Sequence, residues 1–189
     1  MKEKLQILNP TIVRAQKGHA GAIVDVLREA WISTYPNIRY NVTERDVLDK
    51  FGDPTEKETR IGDYLEKLDE QAGVIYMVAS ISNQVRGFIY AISSGSSLYI
   101  SALYIDPKFQ NNGLGGLLLQ ECLSSSPYST NVSVDVVAYN TKAIRFYNKA
   151  GFIDVGPSQT DFSLFPNGVR IPERKMIKKH HAESSIRDR

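Results

Sequence analysis

One cysteine in 189 residues, Cys122, leaves an intrachain disulfide without its second half and excludes a cysteine-cluster metal site. The three histidines do not fill that gap. His180 and His181 follow a basic run near the C-terminus and His19 has no ligand type beside it, so no metal is expected. Long apolar runs are missing too: none approaches the ~18 residues that a bilayer-spanning helix needs. The opening Met-Lys-Glu-Lys-Leu-Gln-Ile-Leu-Asn-Pro is too polar for a secretory signal. The expectation is a soluble, cytoplasmic protein with no membrane partner, and a lone cysteine fits a reducing compartment. Charge of one sign is also scarce, since 23 Lys and Arg against 21 Asp and Glu leave +2. Pro172–Arg189 holds six basic and three acidic residues, which puts +3 on the tail and −1 on the remainder. Without a basic stripe to hold a phosphate backbone, no nucleic-acid partner is expected.

Apolar and aromatic residues are plentiful: 42% of the chain is hydrophobic, with ten Tyr and seven Phe. At a prior of roughly 150 residues per domain, the length suits one domain, placed at residues 5–179 with a polar tail at 180–189. A strand at Thr11–Ala15 precedes Ile23, Val26, Leu27, Ala30 and Trp31 at helical spacing, ended by Tyr35-Pro36-Asn37. Asn41–Glu70, with ten acidic and five basic residues, reads as two short amphipathic helices broken at Gly52-Asp53-Pro54, with Asp46 and Lys50 spaced for an i,i+4 pair. Val74–Ser80, Val85–Ile92 and Ser97–Ile105 are rich in β-branched and aromatic residues with turn chemistry between them, an antiparallel meander. Leu114–Leu123 makes a helical face. Asn131–Ala138 alternates as a strand, with Val132, Val134 and Val136 on one side and Ser133, Asp135 and Val137 on the other. A helix capped by Asn140 and closed by Gly151 follows, then strands at Phe152–Val155 and Arg170–Ile177 around a loop or edge hairpin at Phe162–Gly168. The fold class is α/β (α+β), a mixed sheet with helices on its faces.

The run Leu103-Tyr104-Ile105-Asp106-Pro107-Lys108-Phe109-Gln110-Asn111-Asn112-Gly113-Leu114-Gly115-Gly116 carries a strand into a glycine-bearing turn that opens a helix. Helix N-terminal amides without intrahelical acceptors gather there, at the positive end of the dipole, which suits a phosphate. It is not a nucleoside triphosphate loop, because no Lys-Ser or Lys-Thr follows either glycine. The dinucleotide fingerprint is a closer rival, since Gly113-Leu114-Gly115 begins G-x-G and Asp135 lies about 20 residues on. Against it, Leu118 stands where a small third residue is wanted, and Asp135 falls inside its strand.

Gln110-Asn111-Asn112-Gly113-Leu114-Gly115 resembles the Q/R-x-x-G-x-G/A signature of the GNAT superfamily of acyl-CoA-dependent N-acetyltransferases. The preceding Leu-Tyr-Ile-Asp-Pro and the segment Asn140-Thr-Lys-Ala143-Ile144-Arg-Phe146-Tyr147-Asn-Lys-Ala150-Gly151-Phe152 are similar to further family motifs in the same order. The resemblance implies a mostly antiparallel sheet of six to seven strands, splayed between the fourth and fifth. It implies acetyl-CoA as donor, with the backbone of Leu103, Tyr104 and Ile105 along the pantetheine arm. Gln110, Asn111, Asn112, Gly113, Leu114, Gly115 and Gly116 would hold the pyrophosphate, and Asn140 would be a cofactor contact. Tyr147 occupies the position of the acid that protonates the thiolate, and Asp135 the position of a general base in some members. A free amide at the end of the splayed strand, that of Ile105, would serve the oxyanion. The implied partner is a primary amine, either a small molecule such as a polyamine or a peptide, and a homodimer is left open.

Bland readings stand beside these. Tyr147 shares an apolar stripe with Ala143, Ile144 and Ala150, so alone it reads as a core tyrosine. Asp135 alone reads as an outward strand residue, Asn140 is a helix cap in either account, and Cys122 among leucines reads as packed. The acid-rich segment reads alone as a solvated face; bordering an acceptor cleft, it would steer a cationic amine. The functional alternatives are a non-catalytic acyl-CoA sensor or partner-binding domain on the same scaffold, and a dinucleotide-dependent oxidoreductase.

Overall fold

The period-two runs become strands and the period-3.6 runs become helices, close to the boundaries read from the sequence. The computed structural model describes residues 9–68, 71–159 and 165–179. In chain order these hold β1 (Thr11–Arg14), α1 (Ala20–Thr34), α2 (Glu44–Phe51), α3 (Pro54–Glu66), β2 (Val74–Ile81), β3 (Gln84–Ser94) and β4 (Ser97–Ile105), then α4 (Leu114–Ser124), β5 (Asn131–Val137), α5 (Thr141–Lys149), β6 (Ile153–Pro157) and β7 (Glu173–Lys179). The last strand starts after Pro172, which has no N–H for a ladder. Part of the expected Phe162–Gly168 hairpin, and the tail at 180–189, lie outside the described residues. No helix among the described residues is long and apolar enough to cross a membrane.

The seven strands form one sheet in the order β1-β2-β3-β4-β5-β7-β6. Every neighbouring pair is antiparallel except β4 and β5, which run parallel. That parallel pairing is short: it joins Ser97–Ile100 to Asn131–Val134 and then stops. The cause sits on the other side of β4. Ala91 pairs with Ile100 and Tyr90 with Ala102, so Ser101 is an extra residue, a β-bulge that bends the strand. Beyond it, β4 follows β3 and leaves β5.

The bulge also reverses which side chains face which layer. Before it, Leu98 and Ile100 pack under α4 with Leu118, Val134 and Met176; after it, Leu103 and Ile105 take that face. Ala102 and Tyr104 turn to the opposite face, where α1 and α3 supply Ile23, Val26 and Leu65. A second cluster on that face joins Trp31 and Tyr35 to Val47 and Phe51 of α2 and to Val137 of β5. Leu118 is completely buried beneath the turn that starts α4. Leu118→Ala is expected to lower unfolding free energy by about 2–5 kcal/mol, read from urea denaturation.

Local chemistry explains the helix ends. Thr43 and Asp46 form a reciprocal capping box on α2, and Asp53 accepts from the amides of Thr55 and Glu56 at the start of α3, which has Pro54 in its first turn. The Asp46–Lys50 pair expected from spacing does not form: the Asp46 carboxylate is taken by the cap, and the Lys50 ammonium lies 4.8 Å from the centre of the Phe165 ring. Arg45 and Asp49 make the i,i+4 pair instead. His19, without an evident role in the sequence, accepts from the Gln16 amide through Nδ1 at 3.0 Å.

Candidate active site

Where β4 and β5 part, a cavity of about 150 Å³ opens through the sheet. Ser101, Ala102, Leu103 and Tyr104 form one wall, Val134–Val137 the other, and Asn140, Ala143 and Tyr147 of the following turn and helix close one side.

The wall on β4 is divided by its ladder. The amide of Asp106 donates to the carbonyl of Arg86 at 2.8 Å. Antiparallel ladders alternate, so the backbone of Tyr104 faces β3 while the N–H and C=O of Leu103 and Ile105 point toward the gap. The carbonyl of Ile105 is met there by Gln110 Nε2 at 3.3 Å. Of the three residues that the family resemblance groups together, two thus offer backbone to the cleft. The third, Tyr104, offers its phenol to the other face, where its hydroxyl lies 2.8 Å from that of Tyr35.

The glycine turn sits at the end of this wall. Arg86 braces it, reaching Asp106 Oδ2 at 3.2 Å and lying 4.3 Å from the centre of the Phe109 ring, and Asp106 Oδ1 accepts from the Lys108 amide. Asn111 takes φ +61° and Gly113 φ +87°, left-handed values that bend the chain into α4. Gly113 has no side chain to cap α4, and the first helix amide with an intrahelical acceptor is that of Leu117, on the Gly113 carbonyl. The amides of Leu114, Gly115 and Gly116 therefore face outward as donors. A Cβ on Gly116 would meet nothing within 4 Å, whereas one on Gly115 would lie in van der Waals contact with the Phe146 ring at 3.4 Å. Leu114 contributes an amide alone, because its side chain is buried in the core. Asn112 Nδ2 donates to the Phe109 carbonyl at 3.3 Å.

Across the cavity, Asn140 Oδ1 caps α5 by accepting from the Ala143 amide at 3.1 Å. Tyr147, two turns on from that cap, is 5% exposed and gripped edge-on by Phe146 and Phe152, with ring centroids 5.0 and 5.1 Å away. Burial holds its phenol well above the usual range, with neighbouring phenols and Cys122 adding to it and no hydrogen bond contributing. Its hydroxyl is thus a protonated donor at neutral pH. The Cys122 thiol is pushed up to about 12 by burial alone and is inert.

Asp135 is the first β5 residue beyond the paired segment and projects to the face opposite Tyr147. Its Oδ2 accepts from the Tyr99 hydroxyl at 3.1 Å. Its Oδ1 is buried and has no hydrogen-bond partner. Tyr35, Tyr99 and Glu173 also line the cavity, and the sequence reading did not single them out. They come from the C-cap of α1, from β4 before the bulge and from β7, and no local motif links them to Asp135.

A fork in a mixed sheet, with a glycine turn at one tip and a capped helix at the other, is the architecture of an acyl-CoA-type transferase fold. The Acetyltransferase (GNAT) domain model matches residues 52–164, more than half of the chain. The chain belongs to that family. Peptidyl-lysine N-acetyltransferase YjaB of Salmonella typhimurium is 35% identical over 63 residues, 33% of this chain and 41% of the relative. The match thus spans about two fifths of that curated relative. Among solved structures, the paiA N-acetyltransferase of Thermoplasma acidophilum in complex with coenzyme A superposes with TM-score 0.69 at 19% identity, over 90% of this chain and 99% of that one. Salmonella typhimurium yncA, solved with its cofactor acetyl-CoA, gives 0.64 at 18%, over 93% and 96%. At these identities the structural likeness bears on the fold.

Proposed function

We propose that this chain transfers the acetyl group of acetyl-CoA directly to a primary amine. The observation that carries the reading is the fork itself: it sets a protonated phenol and a carboxylate on opposite faces of one cavity, beside a turn of outward-facing amides. The residues suit the donor. The amides of residues 111–116 match a diphosphate, Gly116 leaves room for it, and the inward N–H of Ile105 and C=O of Leu103 match the amide group of a pantetheine arm laid along β4 like an added strand. Gln110 and Asn140 flank the open mouth of the fork, one beyond each of its two arms.

The acceptor enters from the α1 and α2 face, where Asp135 lies. An amine attacks only when neutral, and the Asp135 carboxylate takes its proton. The Leu103 amide, directed into the gap two residues nearer the apex beside Asp135 than the Ile105 amide expected from the sequence, donates to the oxyanion that develops as the N–C bond forms. As the C–S bond breaks, the Tyr147 hydroxyl gives the thiolate its proton. The acceptor is a primary amine of a peptide or a small molecule: the curated relative is named for peptidyl-lysine, and the acid-rich α2 and α3 favour a cationic amine by steering.

Calorimetric titration with acetyl-CoA and CoA, followed by thiol release across polyamines and lysine peptides, tests this. Saturable binding with turnover on at least one amine is expected, and Gly113→Val, which forces a β-branched residue to φ +87°, is expected to weaken CoA binding at least tenfold. Absence of heat in the unaltered protein would sink the reading. Binding without turnover on any amine would favour a sensor.

A further inference from the structure

The role given to Asp135 above leaves open what aims its carboxylate. Among the described residues, one side chain hydrogen-bonds it: the Tyr99 hydroxyl, donating to Oδ2 at 3.1 Å. The other oxygen, Oδ1, is buried and unmet. A buried acceptor without a donor is rare in folded proteins and needs an explanation, such as a ligand that supplies the missing donor.

The sheet makes this pair rigid on one side and open on the other. Tyr99 stands opposite Ser133 inside the closed part of the β4–β5 ladder, whose last rung is Ile100 with Val134. Asp135 is the next residue, just past the point where the strands separate. Tyr99, Ser133 and Asp135 project to one face, so the phenol leans along the strand direction across the apex of the fork. Tyr35, Tyr104 and Glu173 line the same cavity, and Lys175 stands opposite Asp135 in the β5–β7 ladder, yet none of these hydrogen-bonds the carboxylate. Burial first, and then the Asp135 charge, push the Tyr99 phenol above the usual range, so it remains a donor.

We propose that Tyr99 is a positioning residue for the reaction: by tying down Oδ2 from the closed part of the sheet, it reserves Oδ1 as the oxygen that takes the proton of the acceptor amine. The inference rests on the acetyl-transfer reading and can fail separately from it. Its consequence is that Tyr99 acts only through Asp135.

The test is a double-mutant cycle in steady-state kinetics, using acetyl-CoA and the amine of the panel that gives the fastest thiol release. Tyr99→Phe keeps the ring and removes the donor. It is expected to lower kcat about tenfold, with KM for acetyl-CoA changed less than twofold and melting unchanged within a few degrees. In an Asp135→Asn background the same change is expected to cost nothing further, because the carboxylate it positions is gone. Multiplicative losses in the two backgrounds overturn the proposal while leaving the base assignment standing. Full turnover in Asp135→Asn removes the base and the positioning role together. A Tyr99→Phe loss confined to KM for acetyl-CoA also overturns it, since that signals a packing defect along the donor track.

Discussion

Tyr147→Phe is expected to lower kcat by about 10²-fold, the usual contribution of one positioned proton donor, while CoA binding measured by calorimetry stays within twofold. The ring is held between Phe146 and Phe152, and losing one oxygen leaves those contacts in place. In the proposed mechanism, only the proton for the departing thiolate is lost. Burial raises the phenol, and the acid must be protonated to act, so the sign of the pH dependence follows. The active form persists above the pH at which an exposed tyrosine ionises, and no loss of kcat from this group is expected below about pH 10. Equal turnover in the variant would return Tyr147 to a purely packing role. A large drop in CoA affinity would make it a binding residue.

Asp135→Asn is expected to cost about 10²- to 10⁴-fold in kcat/KM for the amine and little in CoA affinity, because the amide cannot accept the proton that the acceptor ammonium must lose before its nitrogen can attack. The substitution is nearly isosteric, and the Tyr99 hydroxyl can still donate to the new carbonyl, so folding is preserved. A diagnostic accompanies the loss. If Asp135 serves as base, activity in the variant recovers as the pH approaches the range in which the amine is itself neutral. Loss that persists at high pH would instead assign Asp135 to binding the acceptor. The two variants probe opposite faces of the sheet, and their phenotypes are expected to separate, since the proposed mechanism has the tyrosine act on the leaving group and the aspartate on the nucleophile.

Much of this site was legible before any fold was known, and the reason is locality. Gln110–Gly116 is one continuous turn whose proposed cofactor-holding groups are its own backbone amides, so glycines and asparagines at fixed offsets point to it. Asn140 and Tyr147 lie on a single helix whose cap and C-terminal glycine are set by near neighbours, and Gly151 does take φ +87°. The acid-rich helices were legible for the same reason, through the break at Gly52-Asp53-Pro54 between them, where Asp53 and Pro54 start the second. The failures are instructive in the same terms. Asp46 and Lys50 have the spacing of an ion pair, but a capping amide and an aromatic ring from a distant loop compete for them.

The amino-acid order by itself determined the elements, the phosphate-type turn, the candidate acid and base, and the family resemblance. Only the tertiary structure decided that Asp135 and Tyr147 share one cavity from opposite faces. It also decided that Leu103 and Ile105, but not Tyr104, present backbone to the gap, and that Tyr99 reaches Asp135. The physical reason lies in the bulge at Ser101 and in the insertion of β7 between β5 and β6. A period of two says that neighbouring side chains alternate. Which face each one takes, and where two strands part, depends on hydrogen-bond ladders between segments dozens of residues apart.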